Sequence, residues 1–201
     1  MFVNKTSLHP LIHQYDLDND LLNQKLEQHV RQEIAKTAAL NTEKKHSNIG
    51  GWHSDRDLDA KLGDGSIASG YLLKLFDSFS PAITQYIKSN TEKFNTTQKK
   101  AYEWNYAGSW YNVAFGGSYN APHVHPYSQI SGAYYIRTEE PTKTHPLSGR
   151  IDFIDEDNIQ YGFFPKPGTL FLFPSDMLHW VHPYHGSDLR ICLSFNLKNI
   201  T

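Results

Sequence analysis

The stretch Pro167-Gly-Thr169-Leu-Phe-Leu-Phe173-Pro174-Ser-Asp-Met-Leu178-His179-Trp-Val181-His182-Pro183 holds a turn, an apolar strand, a break and the start of a second strand. Pro167-Gly168 signals the turn, and Thr169 to Phe173 is an unbroken apolar run of strand length. Pro174 has no N–H to give a ladder, so it ends the run. The same grammar extends outward on both sides. Tyr102, Trp104 and Tyr106 alternate with Glu103 and Asn105, and short β-rich runs follow at Trp110 to Phe115, Ile130 to Arg137, Arg150 to Ile154, Leu178 to Val181 and Leu189 to Leu197. Gly117, Asn120, Pro122, Pro141, Gly149, Pro165 and Gly186 punctuate them. Many short strands with closely spaced turns indicate a sandwich or barrel.

Before about residue 98 the apolar period is that of a helix. Leu22, Leu26, Val30 and Ile34 form one stripe, continued by Ala38, with Asp16, Asp18 and Asp20 favouring its N-terminal end and Asn41 as its stop. A polar connector carries Ser47 to Ser54, and Gly63-Asp64-Gly65 marks a turn. A second stripe runs through Ile67, Tyr71, Leu75, Phe79, Ile83 and Ile87, with Pro81 expected to kink it or to begin a separate helix. Both stripes need covering. The expectation is therefore one domain over residues 1–201, mainly β, with a helical N-terminal part of about 1–97 packed outside a β-core of about 98–201.

Composition narrows the function classes. The chain has 201 residues, 39% of them hydrophobic and 13% aromatic, enough for one well-filled core. A net charge of -2, with both signs mixed along the chain, argues against a nucleic-acid footprint. No apolar run approaches the roughly 20 residues that cross a bilayer. Met1 to Thr6 lacks the apolar centre of a signal peptide, and Cys192 is alone, so the default expectation is a cytoplasmic protein without disulfides. Oligomeric state is not encoded in any of this.

Chemistry concentrates in four residues. In extended chain His123 and His125 point the same way, and a third imidazole from elsewhere, His179, would complete a site that holds a divalent metal with open positions. Arg190, opening the last strand, would set a fixed guanidinium near that metal, a fork suited to the far carboxylate of a small dicarboxylic acid. Along that strand Ile191, Leu193, Phe195 and Leu197 share one face, while Arg190, Cys192, Ser194 and Asn196 share the other. A polar inner face of this kind fits the wall of a cavity. Each residue also has an ordinary reading: His-x-His occurs without metal, and a strand-start arginine is commonly a surface ion pair. His182 and His185 fall outside the alternation and read as non-ligands. The remaining histidines, His9, His13, His29, His46, His53 and His145, read as solvated or locally hydrogen-bonded.

From about Trp110 to Asn196 the chain resembles the 2-oxoglutarate- and Fe(II)-dependent oxygenases, and more narrowly a His-x-His branch found in marine bacteria and phages. The resemblance rests on Asn48-Ile-Gly-Gly-Trp-His-Ser54, Ala121-Pro-His-Val-His-Pro126, Ser131-Gly-Ala-Tyr-Tyr-Ile136, Pro167 to Pro174 and Arg190 to Asn196. It implies a double-stranded β-helix core, jelly-roll or cupin-like, with flanking helices. It also implies Fe(II) held by His123 and His179, with 2-oxoglutarate as cosubstrate and O2 as substrate. Arg190 would bind the C5 carboxylate of 2-oxoglutarate, Tyr135 the same group, and Cys192 stands where many members have the serine of Arg-x-Ser, weakening that cosubstrate contact. The wider superfamily has a carboxylate two residues after the first histidine; here His125 takes that place as the third metal ligand. Asp176 is a candidate orienting group or substitute ligand.

The implied activity is hydroxylation of an amino-acid, peptide or small-metabolite substrate with release of succinate and CO2, His123, His125 and His179 forming the catalytic metal set. Trp104, Trp110, Tyr111 and Trp180 would line the substrate mouth or simply pack the barrel. Two alternatives stay open: a three-histidine iron dioxygenase that needs no 2-oxoglutarate, and a non-catalytic cupin-like domain that binds a metal or small ligand.

Overall fold

A computed structural model of the chain describes residues 4–40, 47–62, 64–96 and 104–199. The chain opens with strands β1 (Asn4–His9) and β2 (Ile12–Asp16), then helix α1 (Asp20–Leu40), short strands β3 (Asn48–Ile49) and β4 (Trp52–His53), and helix α2 (Ile67–Ser89). Eight strands follow: β5 (Trp104–Ala114), β6 (Tyr119–His123), β7 (Ile130–Arg137), β8 (Ile151–Ile154), β9 (Gln160–Phe163), β10 (Thr169–Pro174), β11 (Leu178–Val181) and β12 (Arg190–Asn199). They form two antiparallel sheets. The larger has the order β1-β2-β10-β7-β12-β5-β4 and the smaller β3-β6-β11-β8-β9. Strands β5 to β12 thus divide four and four between facing sheets, the double-stranded β-helix that was expected.

Alternation along the strands builds two cores. On β10, Leu170 and Leu172 face the helices while Phe171 and Phe173 face the smaller sheet. On β12, Ile191, Leu193, Phe195 and Leu197 join the helix-side core, whereas Cys192 belongs to the core between the sheets. Helix α1 presents Leu26 and Val30, with Leu22 and Ile34 packed beside them. Helix α2 presents Leu75, Phe79, Ile83 and Ile87, as its stripe implies. Ile67 does not take part; it is 79% exposed in the first turn.

The division at about residue 98 needs correction. Residues before it supply strands as well as helices: β2 pairs with β10, β4 with β5, and β3 with β6. Strands of two to six residues at or next to the sheet edges are too short to display a period, and their pairing is set by the strands they join. Asp16 accordingly ends β2 and is not part of the helix, leaving Asp20 as the acid of the first turn of α1. Strands β6 and β9 lack a sequence signal too: Gln160-Tyr-Gly-Phe163 has little apolar alternation, and Asn120 and Pro122, expected as turn residues, lie inside β6. Pro81 neither breaks α2 nor starts a new helix. It sits on the exposed side of one continuous 23-residue helix, where the carbonyl it leaves free can reach water. Ser66 caps that helix, its side chain accepting from the Ser69 N–H at 3.0 Å. Ala38 lies within α1, whereas Asn41, His46, Gly63, Tyr102 and Glu103 lie outside the described residues. No helix among the described residues is long and apolar enough to cross a membrane.

One close approach locks the larger sheet to α2. Gly132 on β7 stands opposite Phe195 on β12, and a Cβ added there would meet Phe195 Cζ at 2.1 Å. The Phe195 ring is stacked on Phe79 at 5.3 Å between centroids, which limits its retreat. Gly132→Ala should therefore destabilise by about 1–3 kcal/mol through overpacking, lowering the melting temperature by roughly 2–4 °C per kcal/mol in a domain of this size. An unchanged thermal melt would show that Phe195 repacks freely.

Candidate metal centre

Strands β6 and β11 pair antiparallel with His123 directly opposite His179. This register brings together two side chains that are far apart in sequence, and both face between the sheets. His125 arrives differently from the extended-strand expectation: β6 ends at His123, and His125 lies in the loop beyond. Its backbone N–H donates to the Ser175 carbonyl at 2.8 Å, tying that loop to the segment after β10. One nitrogen from each of His123, His125 and His179 lies within 4.8 Å of the other two. The Nε2 atoms of His125 and His179 are 3.3 Å apart. Two imidazole nitrogens bound at about 2.1 Å to one ion are roughly 3.0–3.4 Å apart, so this spacing fits a shared metal.

The ring orientations are set from behind. His123 Nδ1 meets the Ala121 carbonyl at 2.7 Å, and His179 Nδ1 meets the Met177 carbonyl at 2.9 Å. A carbonyl only accepts, so each Nδ1 carries the proton and each Nε2 keeps its lone pair for a metal. Burial makes the imidazolium form unfavourable. It lowers the His125 pKa to about 3 with help from the neighbouring His123 and Arg56, pushes His179 well below its ordinary value, and lowers His123 as well. Three neutral imidazoles are the protonation state that metal binding requires.

Arg190 lies at the inner end of the same cavity, only 1% exposed. Its Nη2 donates to the Tyr135 hydroxyl at 3.2 Å, and its Cζ lies 4.8 Å from the Tyr135 ring centre. Its Nε is buried without a partner, and no described carboxylate pairs with it. A buried guanidinium without an anion is unfavourable by several kcal/mol, on the order of a lost ion-pair partner. An anionic ligand would relieve that cost. Cys192 is buried opposite Tyr135, with its Sγ 3.7 Å from Ser194 Oγ.

The other candidates lie elsewhere. Asp176 is exposed and 3.5 Å from Lys93 Nζ, away from the triad. His182 bonds Asp152, and His185 stacks on His145 at 4.0 Å. Of the four aromatics, Trp110 lines the cavity, Tyr111 and Trp104 pack into the helix-side core, and Trp180 is partly exposed beside His182. Locally bonded histidines are represented by His13, which contacts the Tyr15 hydroxyl and the Pro10 carbonyl. Several lining residues carried no functional signal in the sequence, among them Ser47, Asn112 and Asn120. Ser47 Oγ lies 3.4 Å from His123 Nε2. Only the pairing of β3 with β6 reveals it.

Residues 108–196 match the model of a 2OG-Fe(II) oxygenase family. No curated protein matches the chain. A prolyl-4-hydroxylase from Pseudomonas putida superposes with a TM-score of 0.59 at 16% identity, over 94% of this chain and 93% of that one. A viral collagen prolyl hydroxylase from Paramecium bursaria Chlorella virus-1, solved as a 2OG complex, gives 0.54 at 12% identity over 93% and 96%. A prolyl hydroxylase from Trichoplax adhaerens, in complex with a hypoxia-inducible-factor peptide fragment, gives 0.58 at 14% identity over 89% and 78%. At such identities the likeness speaks for the fold alone. The family match bears out the expected resemblance, and Fe(II), 2-oxoglutarate and O2 are what that family uses.

His179→Ala should abolish high-affinity Fe(II) binding in anaerobic calorimetry, while His185→Ala should leave it intact; equal binding in both would remove the triad from consideration. The lowered imidazole pKa values also set a pH dependence. As pH falls below the ordinary histidine value of about 6.5, the unfolded chain takes up protons that the folded triad refuses. Stability of the metal-free protein should therefore fall with decreasing pH, at up to about 1.4 kcal/mol per pH unit for each such group. Melting curves of His125→Gln between about pH 5 and 7 should show a shallower fall than wild type.

Proposed function

We propose, from the match of residues 108–196 to a 2OG-Fe(II) oxygenase family, that the protein is a single-domain, cytoplasmic 2-oxoglutarate- and Fe(II)-dependent dioxygenase that hydroxylates a small-molecule or peptide substrate and releases succinate and CO2. The observation that carries this reading is the pairing of two features in one cavity. A three-imidazole cluster with its lone pairs facing inward stands beside a buried arginine that has no anion of its own.

His123, His125 and His179 would hold Fe(II) through nitrogens kept neutral by burial. Arg190 would receive the C5 carboxylate of 2-oxoglutarate in its guanidinium fork, and Tyr135 would both donate to that carboxylate and hold the arginine in place through the 3.2 Å contact. Cys192 would pack beside that end without a strong hydrogen bond. Ser194, whose hydroxyl accepts from Asn112 Nδ2 at 3.1 Å, stands next along the same face. Fe(II) with 2-oxoglutarate and O2 supplies the oxidising power for C–H hydroxylation, driven by decarboxylation of the cosubstrate. The chain's own work is to orient the two carboxylate ends and to keep the cavity dry with Phe173, Ile151 and Val181. The prolyl hydroxylases among the structural relatives give a peptide substrate a concrete precedent.

One observation favours a second reading. The third ligand position holds His125 in place of a carboxylate, and a three-histidine iron centre can also serve a dioxygenase that consumes no 2-oxoglutarate. Arg190 has no evident task in that case. An anaerobic titration of the metal-free protein with Fe(II) and then 2-oxoglutarate separates the two. A visible metal-to-ligand charge-transfer band, absent in His123→Ala, is the expected outcome; iron binding without the band transfers the lead to the second reading. Arg190→Gln should retain iron and raise the 2-oxoglutarate requirement by about 10- to 100-fold, the worth of a charge-assisted hydrogen bond. An unchanged requirement would remove Arg190 from the cosubstrate site.

A further inference from the structure

Arg56 is an exposed arginine outside the cavity lining but next to it, and nothing described so far uses it. Its Cζ lies 4.8 Å from the centre of the Trp110 ring. Trp110 in turn lines the cavity, with its ring 5.6 Å from that of His125. The charge of Arg56 is close enough to depress both His123 and His125. No described carboxylate pairs with it.

The position of Arg56 is built. On one side of it, the Ser54 N–H donates to the Tyr111 carbonyl at 3.1 Å and Ser54 Oγ accepts from the Tyr111 N–H at 2.9 Å. On the other, the Leu58 N–H donates to the Ser109 carbonyl at 3.2 Å, and the Asp59 N–H donates to Ser109 Oγ at 2.7 Å. The segment is strapped to β5 on both sides of Arg56, directly above Trp110. A guanidinium laid over an aromatic ring keeps its N–H edges free for a planar carboxylate.

Charge accounting gives that edge a purpose. The cavity is lined by no acidic side chain. Three neutral histidines bring no negative charge to a divalent metal, and 2-oxoglutarate cancels the metal's charge. Arg190 inside the cavity and Arg56, exposed over Trp110, then leave a surplus of positive charge. We propose that Arg56, supported by Trp110, binds the carboxylate of the prime substrate, and that this substrate is a small free carboxylic acid of the amino-acid class. Ser47, whose Oγ lies 3.4 Å from His123 Nε2, offers a polar partner in the same cavity for the rest of such a molecule. Arg56 would set orientation and specificity, while the triad and Arg190 keep the roles given under the proposed function, on which this inference rests.

The test uses the full chain with Fe(II) and 2-oxoglutarate under anaerobic conditions. Free L-amino acids are titrated against their carboxamides, with intrinsic tryptophan fluorescence as the binding readout and Trp110→Phe identifying the responding ring. Succinate release in air is measured in parallel. At least one acid should bind about ten-fold or more tightly than its amide and stimulate succinate release. Arg56→Gln should bring that ratio close to one through KM for the acid, with the 2-oxoglutarate affinity kept within about two-fold, and Arg56→Lys should recover part of it. The inference is overturned if no acid binds better than its amide, or if the preference survives Arg56→Gln. A charge-transfer band that forms normally alongside either result leaves the proposed function standing, whereas a missing band in wild type sinks that function itself.

Discussion

The alternation of β12 is the constraint on which the rest of the molecule depends. This strand pairs with β5 on one side and β7 on the other, so it sits at the centre of the larger sheet. Its odd-numbered residues meet the helices, with Phe195 stacked on Phe79. Its even-numbered residues begin with Arg190 and continue through Cys192 and Ser194 into the cavity. A slip by one residue would bury the guanidinium against α2 and turn Leu193 toward the triad. The fold and the site are therefore specified by the same register, and neither can change alone. The register of β12 against β7 shifts between Ile191 and Cys192, which brings Tyr135 beside Cys192 and within reach of the Arg190 guanidinium.

The triad obeys a complementary rule. Burying three imidazoles is tolerable because they can shed their protons, and the Ala121 and Met177 carbonyls take the remaining N–H of two of them. Arginine has no such escape at accessible pH. Arg190 and the triad therefore differ in what burial demands of them. The histidines become neutral and wait for a cation; the arginine stays charged and waits for an anion. A ligand that chelates metal at one end and carries a carboxylate at the other answers both demands at once.

Much of this architecture was legible in the sequence where side chains repeat with a period. Six of the eight core strands announce themselves by alternation or by apolar runs, and both helices by their stripes; β9, with Gln160 and Gly162 among its four residues, does not, and nor does β6, whose Asn120 and Pro122 read as turn residues. Strands β1 to β4, at or next to the sheet edges, were hidden because their pairing is decided by partners remote in sequence, such as β10 for β2. His179 and Arg190 emerged from order along the chain, aided by a family resemblance. The route of His125 into the cluster did not, since its placement depends on a backbone bond to Ser175 after β10. Arg56 was invisible for a similar reason. No spacing rule connects residue 56 to residue 110; the straps between Ser54 and Tyr111, and between Asp59 and Ser109, do.

That last relation separates two parts of the site. The imidazoles, Arg190 and Tyr135 all fall within the stretch 108–196 that matches the oxygenase family, and they lie on strands or are tied to them. Ser47 and Arg56 come from a segment outside that stretch, laid along the edges of β6 and β5. Residues that hold metal and cosubstrate must keep their geometry to within a fraction of an ångström, which favours strands at the centre of the sheets. Residues that choose the substrate gain by sitting on a connector that can change without disturbing the ladder. The carboxylate-free triad adds a physical link between the parts. In the proposed reading His125 would leave more positive charge at the metal and make the cavity more receptive to an anionic substrate, so the choice of side chain at that one position would bear on what the mouth of the site can accept.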